Sequence, residues 1–369
     1  MWNEKAKIEY WEIPEGKRVI AVSDIHANLP YFKALLEKVG FCAEDELVID
    51  GDFLEKGDDS LGTLRYIMEL CKGGNVHVVC GNCDYWSDLI HAPHLYDNGH
   101  LMYYILHRTG AVCKDMLLET GIEPTGDLDF ISLIPELYEH FRAEFDFLSS
   151  LPNILETKNY TFVHGGIDPS VPLCGHTAGQ CMKNDAFMNK GYRFDKWVIV
   201  GHWPVMLYLE DRVCANPIID RFSHIISIDG GCVLKDDGQL NALIIPQNGS
   251  EDFSFAAYDP FPTARVKDYQ PGSRRSYYIR WGDNRVRVLE RGGEFSRCRH
   301  IRTGYEMDIL TKYLYSDGDE CECNDCTDYA PELFPGDEVS MIEKTSRGYF
   351  IKHDGTSGWY YGELEDELS

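Results

Sequence analysis

Basic residues are what this sequence lacks most. In 369 residues, 35 Lys and Arg face 61 Asp and Glu, a formal net charge of −26. A large sequence-unspecific grip on nucleic acid needs a basic surface, so no large nucleic-acid footprint is expected. A nucleotide or phosphoprotein substrate stays open, because bound cations can invert the local field. Long apolar runs are missing too. No uncharged stretch approaches the roughly 18–20 residues that span a bilayer, so no membrane partner is expected. Residues 1–20 interleave Glu4, Lys5, Lys7, Glu9, Glu12, Glu15, Lys17 and Arg18 with no apolar h-region, and the expected compartment is the cytoplasm. The 13 cysteines are odd in number and mostly scattered through apolar segments. That suits reduced thiols better than a disulfide framework.

The apolar content of 44% is that of a globular protein, and the length makes two domains the starting expectation. Residues 18–80 alternate strand and helix. Arg18–Val22 is an apolar run. Tyr31, Phe32, Leu35, Leu36 and Val39 follow at helical spacing behind the cap candidate Asn28. Leu47–Ile49 and Val76–Cys80 are further strands, with Leu61, Leu64, Met68 and Cys71 marking a helix face between them. This order implies right-handed crossovers and a parallel or mixed sheet. Residues 85–158 read as mostly helical, and Tyr160–Val163, Trp197–Val200 and Ile225–Ile228 as strands. Five short motifs sit just after predicted strands: Asp24-Ile25-His26, Gly51-Asp52, Gly81-Asn82-Cys83-Asp84, His164-Gly165-Gly166 and Gly201-His202. Ligands of open α/β sheets bind beyond the carboxyl ends of the strands, where such side chains converge. Carboxylate, imidazole and amide oxygen together suit divalent manganese, iron or zinc. Two such ions sharing a carboxylate clamp a phosphoryl group and acidify a water. Each motif alone is as well explained by a cap, a turn or a structural histidine. The set in this order is not.

The motifs SDIHAN (23–28), GDFLEKGDDS (51–60), GNCD (81–84), VHGGIDP (163–169) and VGHWP (200–204) resemble those of the calcineurin-like metallophosphoesterases over about residues 18–245. His-Gly-Gly, Gly-His-Trp-Pro and Ile228-Asp229-Gly230-Gly231-Cys232 are similar to the phosphoprotein phosphatase branch and its dinucleoside-tetraphosphatase relatives. Pro204 stands where the other branch has a second histidine. The resemblance implies a four-layer α-β-β-α sandwich. It implies a first metal on Asp24 and His26, a bridging Asp52, and a second metal completed by Asn82, His164 and His202. It also implies hydrolysis of a phosphoester or phosphoanhydride by a hydroxide held between two divalent ions, manganese foremost. The catalytic set expected is Asp52, Asn82, Cys83 and Glu55. A phosphodiesterase and a catalytically weak metal-binding scaffold are the alternatives.

Three departures from that pattern concern substrate handling. Cys83 replaces the histidine acid that protonates the leaving group. Glu55 replaces the aspartate that orients that histidine, and Lys56 the arginine that grips phosphate. Lys56 keeps the charge without the bidentate fork. Near residues 181–187 the basic element of the relatives is absent, leaving Lys183 or Arg193 as substrate-binding candidates.

The expected organisation is a catalytic domain over 1–248, a linker over 249–275, and a β-rich region over 276–369. Ser276–Leu289 suggests a hairpin around Gly282-Asp283-Asn284. Residues 334–364, with Gly358-Trp359-Tyr360-Tyr361-Gly362, resemble an SH3-like module. Its aromatics suit either a peptide groove for a protein partner or the module's own core. Cys298, Cys321, Cys323 and Cys326, with His300 nearby, have spacings open to a structural zinc or to a plain acidic loop.

Overall fold

The computed structural model describes residues 2–365. The chain forms two compact units. The first runs to Pro204 and resumes over Pro217–Asp259, and the second joins Val205–Asn216 to the chain from Pro260 onward.

The strands of the first unit are β1 (Ile8–Tyr10), β2 (Val19–Val22), β3 (Glu46–Asp50), β4 (Val76–Val79), β5 (Ile154–Glu156), β6 (Tyr160–Phe162) and β7 (Trp197–Val200). After β8 (Val213–Cys214), which belongs to the second unit, come β9 (Ile218–Asp220), β10 (Ile225–Ser227), β11 (Leu240–Ile245) and β12 (Ser254–Tyr258). One sheet has the order β12-β11-β2-β3-β4, with β2, β3 and β4 parallel and β11 antiparallel to β2. The other runs β1-β5-β6-β7-β10-β9 and is mixed. Alternate side chains of a strand face opposite ways. Val19 and Ala21 therefore join a core shared with Phe162, Ile199 and Ile226 of the second sheet, while Ile20 and Val22 face a helical layer. That layer holds α1 (Leu29–Lys38), α2 (Ser60–Cys71), α3 (Ser87–His91), α4 (Asn98–His107), α5 (Val112–Glu119), α6 (Phe130–His140) and α7 (Arg142–Ser150). On the far side, Val163, Val198 and Val200 pack against Cys181 of α8 (Ala178–Met182) and Phe187. The layers are thus the expected α-β-β-α. Asn28 caps α1 by accepting from Tyr31 N at 3.4 Å.

The expected linker is structured. Residues 254–258 are the edge strand β12, in register with β11 from Leu240↔Tyr258 to Ile244↔Ser254. The second unit begins with β13 (Thr263–Arg265) and continues through β14 (Tyr278–Ile279), β15 (Arg285–Glu290), β16 (Phe295–His300), β17 (Glu306–Leu310), β18 (Glu320–Glu322), β19 (Cys326–Thr327), β20 (Glu338–Thr345), β21 (Gly348–His353) and β22 (Thr356–Tyr360). The hairpin expected over 276–289 does not form as such. β14 pairs with β19, only the Arg280↔Asp283 bridge remains at the turn, and the hairpin is β15 with β16.

The C-terminal end is β-rich, and the strands over the expected SH3-like stretch belong to a larger sheet. Its sheet has the order β13-β20-β21-β22-β8 and so recruits strands from well upstream. Trp359 and Tyr360 are buried, with Trp359 Nε1 donating to the Thr327 carbonyl at 2.8 Å, and of the three aromatics only Tyr361 is exposed. The cysteines of the zinc expectation gather in one region of the second unit. Among the described residues, Cys298, Cys321, Cys323 and Cys326 do not form a group of ligand atoms within 4.8 Å of one another. Cys298, Cys323 and Cys326 lie in an apolar core with Ile279, Val286 and Ile309, and Cys321 packs beside it. His300 is engaged by Thr303 and the Asp283 carbonyl.

Candidate metal centre

The loops after β2, β3, β4, β6 and β7 meet at one point. Asp24 N donates to the Gly51 carbonyl at 3.0 Å and His26 N to the Asp52 carbonyl at 3.0 Å, which ties the first two loops together. Asp24, His26, Asp52 and His202 all have left-handed backbone, with φ of 54°, 48°, 50° and 65°. Such conformations cost non-glycine residues about 1–2 kcal/mol each and persist only where the surroundings impose them. Gly51 is also left-handed, and a Cβ there would lie 2.7 Å from both Gly81 Cα and the His164 ring. The absence of that side chain lets the β3, β4 and β6 loops close on one another.

Two groups of side chains come within 4.8 Å of one another and share Asp52: His26 with Asp52 and Cys83, and Asp52 with His164 and His202. Asp24 Oδ1 lies 3.6 Å from His26 Nε2. Backbone carbonyls set the imidazoles. His26 Nδ1 faces the Leu54 carbonyl at 3.3 Å and His164 Nδ1 faces that of Asp50 at 2.8 Å, so each presents Nε2 to the centre. His202 is reversed, with Nε2 on Asp185 Oδ1 at 2.8 Å and Nδ1 turned inward. A hydrogen bond on the outer nitrogen is how metal-binding histidines are usually oriented. One terminus of the Asn82 amide lies 2.8 Å from His202 Nδ1 and 3.3 Å from the Met182 carbonyl. An NH₂ there bonds both, whereas an oxygen there needs a cation between it and the imidazole.

The charges fit a cation site. Asp24 Oδ1 and Asp229 Oδ2 are buried without hydrogen-bond partners. Asp24, Asp50, Asp52, Asp84 and Asp229 are all buried within one region. Burial pushes the Asp50 carboxyl up to about 7 and that of Asp229 to about 6. For Asp24 burial again comes first, and Asp229 adds to it, holding the carboxyl well above its usual range. Burial would also neutralise His164, but Asp52, 3.2 Å away, outweighs it and favours the imidazolium. Without a metal, the protein must protonate this cluster. Divalent ions supply the same positive charge, and oxygen and imidazole donors of this kind suit them.

Other expected site residues sort by position. Lys56 Nζ lies 3.2 Å from His26 Nε2, inside the cluster. Cys83 N donates to Asp52 Oδ1 at 2.8 Å, and burial drives its thiol well above the ordinary range. Glu55 is buried behind the β3 loop, accepting from Val112 N and from the Tyr104 hydroxyl, each at 2.9 Å. Lys183 is exposed, two residues before Asp185, with its backbone against Gly165. Arg193 is not brought into the cluster. It stacks 3.5 Å over the Phe222 ring.

Sequence reasoning passed over four residues. Asp84 accepts from the backbone N–H of Asp52, Gly81 and Leu54 at 2.7, 2.9 and 3.0 Å. Asp185 orients His202. Asp229 sits buried beside Asp24, and Tyr104 reaches Glu55 from α4. Asp84 and Asp229 lie inside motifs that were already visible. Asp185 and Tyr104 have no local signal.

The model of the calcineurin-like phosphoesterases matches residues 17–224, and the chain belongs to that family. It is 24% identical over 281 residues to the asymmetrical bis(5'-nucleosyl)-tetraphosphatase PrpE of Oceanobacillus iheyensis, covering 68% of this chain and 97% of that protein. A symmetrical bis(5'-nucleosyl)-tetraphosphatase of Pectobacterium atrosepticum is 44% identical over 64 residues, 17% of this chain and 22% of the relative. Among solved structures, a cold-active protein-tyrosine phosphatase of a psychrophilic Shewanella aligns at 13% identity and a TM-score of 0.42, over 70% of this chain and 83% of that one. The chain is a metallophosphoesterase, a hydrolase of phosphoester or phosphoanhydride bonds. Among the described residues no helix is long and apolar enough to cross a membrane.

Proposed function

We propose that the chain hydrolyses a dinucleoside polyphosphate at a two-metal centre held by Asp24, His26, Asp52, Asn82, His164 and His202. When bound, two divalent ions would polarise the phosphoryl group and lower the pKa of a water. The chain's own residues do the rest. Asp52, common to both ligand groups, sets the spacing of the site. Lys56 brings a fixed cation beside His26, placed to meet phosphate oxygens. Asp84, through its backbone hydrogen bonds, holds the Asp52 and Asn82 loops in register.

One observation carries the substrate class: the position of the leaving-group acid holds a buried thiol, Cys83, in place of an imidazole. A thiol there is a poor substitute for imidazolium, and a missing general acid costs about 10²–10⁴ in rate where the leaving group needs a proton. A nucleotide leaves as a stabilised phosphate anion and needs none. The tetraphosphatase relatives point the same way. Cys83 also keeps a phosphodiester substrate as the second reading.

Manganese-loaded protein should cleave diadenosine tetraphosphate, and Asp52→Asn should lower kcat by about 10² or more while retaining the fold by circular dichroism. An Asp52→Asn enzyme as active as wild type would sink the shared-carboxylate centre. Hydrolysis of a diester in preference to the tetraphosphate would shift the reading to phosphodiesterase.

A further inference from the structure

We infer that Tyr104, backed by Glu55, delivers a proton to the leaving group at the place where Cys83 does not, and so extends the chain's chemistry to phosphate esters of alcohols. The inference rests on the hydrolase reading above but adds two residues and a substrate class to it.

The geometry is that of a two-member relay. Tyr104, on α4, is half-buried, and its hydroxyl contacts Glu55 Oε2 at 2.9 Å. The other carboxyl oxygen, Oε1, is already taken by Val112 N at 2.9 Å. The ionised carboxyl accepts from the phenol at Oε2; when Glu55 takes up a proton it sits on Oε2, and the hydrogen bond reverses to run from the carboxyl to the Tyr104 oxygen. The ring is fixed by the Arg108 guanidinium 4.3 Å over its face and by Trp86 edge-on at 6.2 Å. On the other side, the hydroxyl is within electrostatic reach of Cys83, and Cys83 groups with His26 and Asp52. The phenol is thus bonded to a buried carboxyl on one side and feels the charge of Cys83, the residue that replaces the acid, on the other.

Burial pushes the Glu55 carboxyl up to about 8, so at neutral pH it holds a proton to pass on. A phenol alone gives up its proton reluctantly. One that receives a proton as it gives one does not become phenolate. In the step, the bond from phosphorus to the ester oxygen breaks as the bond to the water oxygen forms, and the water's proton goes to solvent. The departing alkoxide takes the Tyr104 proton. The Glu55 proton passes to the Tyr104 oxygen across the 2.9 Å contact. Glu55 is left as carboxylate and is reprotonated from water. No oxidant or further reactant is needed.

The test compares diadenosine tetraphosphate with an alkyl phosphate, 2-glycerophosphate, on manganese-loaded full-length protein. Tyr104→Phe should lower kcat on the alkyl ester by about 10² or more and on the tetraphosphate by less than about threefold, with KM little changed. Alkyl-ester activity of the wild type should fall as pH rises through about 8. Tyr104 and Arg108 from the α4 end, the Val112 N–H and Cys113 from α5, and Asp84 from the β4 loop are the polar groups acting on the Glu55 carboxyl. Glu55→Gln should abolish that alkaline limb and lower the alkyl rate, which a merely structural role would not do. Equal losses on both substrates, or an unchanged alkaline limb in Glu55→Gln, would overturn the relay. So would a wild type that cleaves the tetraphosphate but not the alkyl ester, and in that case the proposed function stands. A wild type inactive on both overturns both.

Discussion

Asp84 shows how much a single side chain holds here. One carboxylate accepts from the N–H groups of Asp52, Leu54 and Gly81, so two ligand-bearing loops share one anchor. Burial pushes its carboxyl up to about 7, with Asp52 adding to the shift, against the pull of the three donors. Asp84→Ala would leave those buried donors unpaired, at about 1–3 kcal/mol each before relaxation. A loss of at least about 3 kcal/mol in urea unfolding is expected, with Asp84→Asn milder because its amide oxygen still accepts. If the two variants were equally stable, the anchor role would be wrong. The left-handed conformations of Asp24, His26, Asp52 and His202 belong to the same scale. Their strain is tolerable because such anchors over-determine the loops.

At the scale of elements, α4 and α5 clamp the β3 loop. Lys56 N donates to the Gly110 carbonyl at 3.1 Å, and a Cβ on Gly110 would fall 1.7 Å from the Gly57 carbonyl oxygen. That approach brings Val112 N and Tyr104 onto Glu55. Gly110→Ala must push the α4–α5 connection off the loop. It should cost about 1–3 kcal/mol as overpacking does and should also lower activity, since Lys56 moves with it. Gly126→Ala, with nothing within 4 Å of its Cβ, serves as the control and should be near neutral. Equal stability of the two in urea would count against the clamp. The same α4–α5 segment carries Tyr104.

For the whole molecule, the two units have separate apolar cores, one built on the shared sheet face and its helices, the other on Val266, Val339, Ile351 and their neighbours. All six proposed ligands lie in the first unit. A ligand that binds only the native state stabilises by about 2.7 kcal/mol at a hundredfold excess over Kd. For a unit of about 150–250 residues that is roughly 5–10 °C in Tm. Calorimetry should therefore show manganese raising one transition and leaving another in place. A chelator should reverse the shift. Movement of both transitions together, or of neither, would count against a metal centre confined to the first unit.

The residues of the centre were legible in the sequence because each lies directly after an apolar strand, and strand ends of a parallel sheet converge whatever the intervening loops do. The strands themselves were legible where alternation or an apolar run was unbroken, as in β2, β3, β4 and β7. β12 was not, because its residues 254–258, SFAAY, form a short run without β-branched residues directly after the polar, glycine-containing stretch 247–252, and they gain their strand state by pairing with β11. The hairpin around Gly282 failed for the converse reason: its turn chemistry was right, but β14 found a better partner in β19, far along the chain. The Cys298, Cys321, Cys323 and Cys326 spacing admitted a metal, and only the packing of a sheet interior placed these side chains among apolar neighbours. Sequence alone thus determined the family, the layer order and the set of candidate ligands, since these depend on local pattern. Tertiary structure decided which polar groups face one another across loops. Tyr104 against Glu55 and Asp185 against His202 are contacts between residues with no common local signal, and Asp229 joins Asp24 in one buried acidic region in the same way.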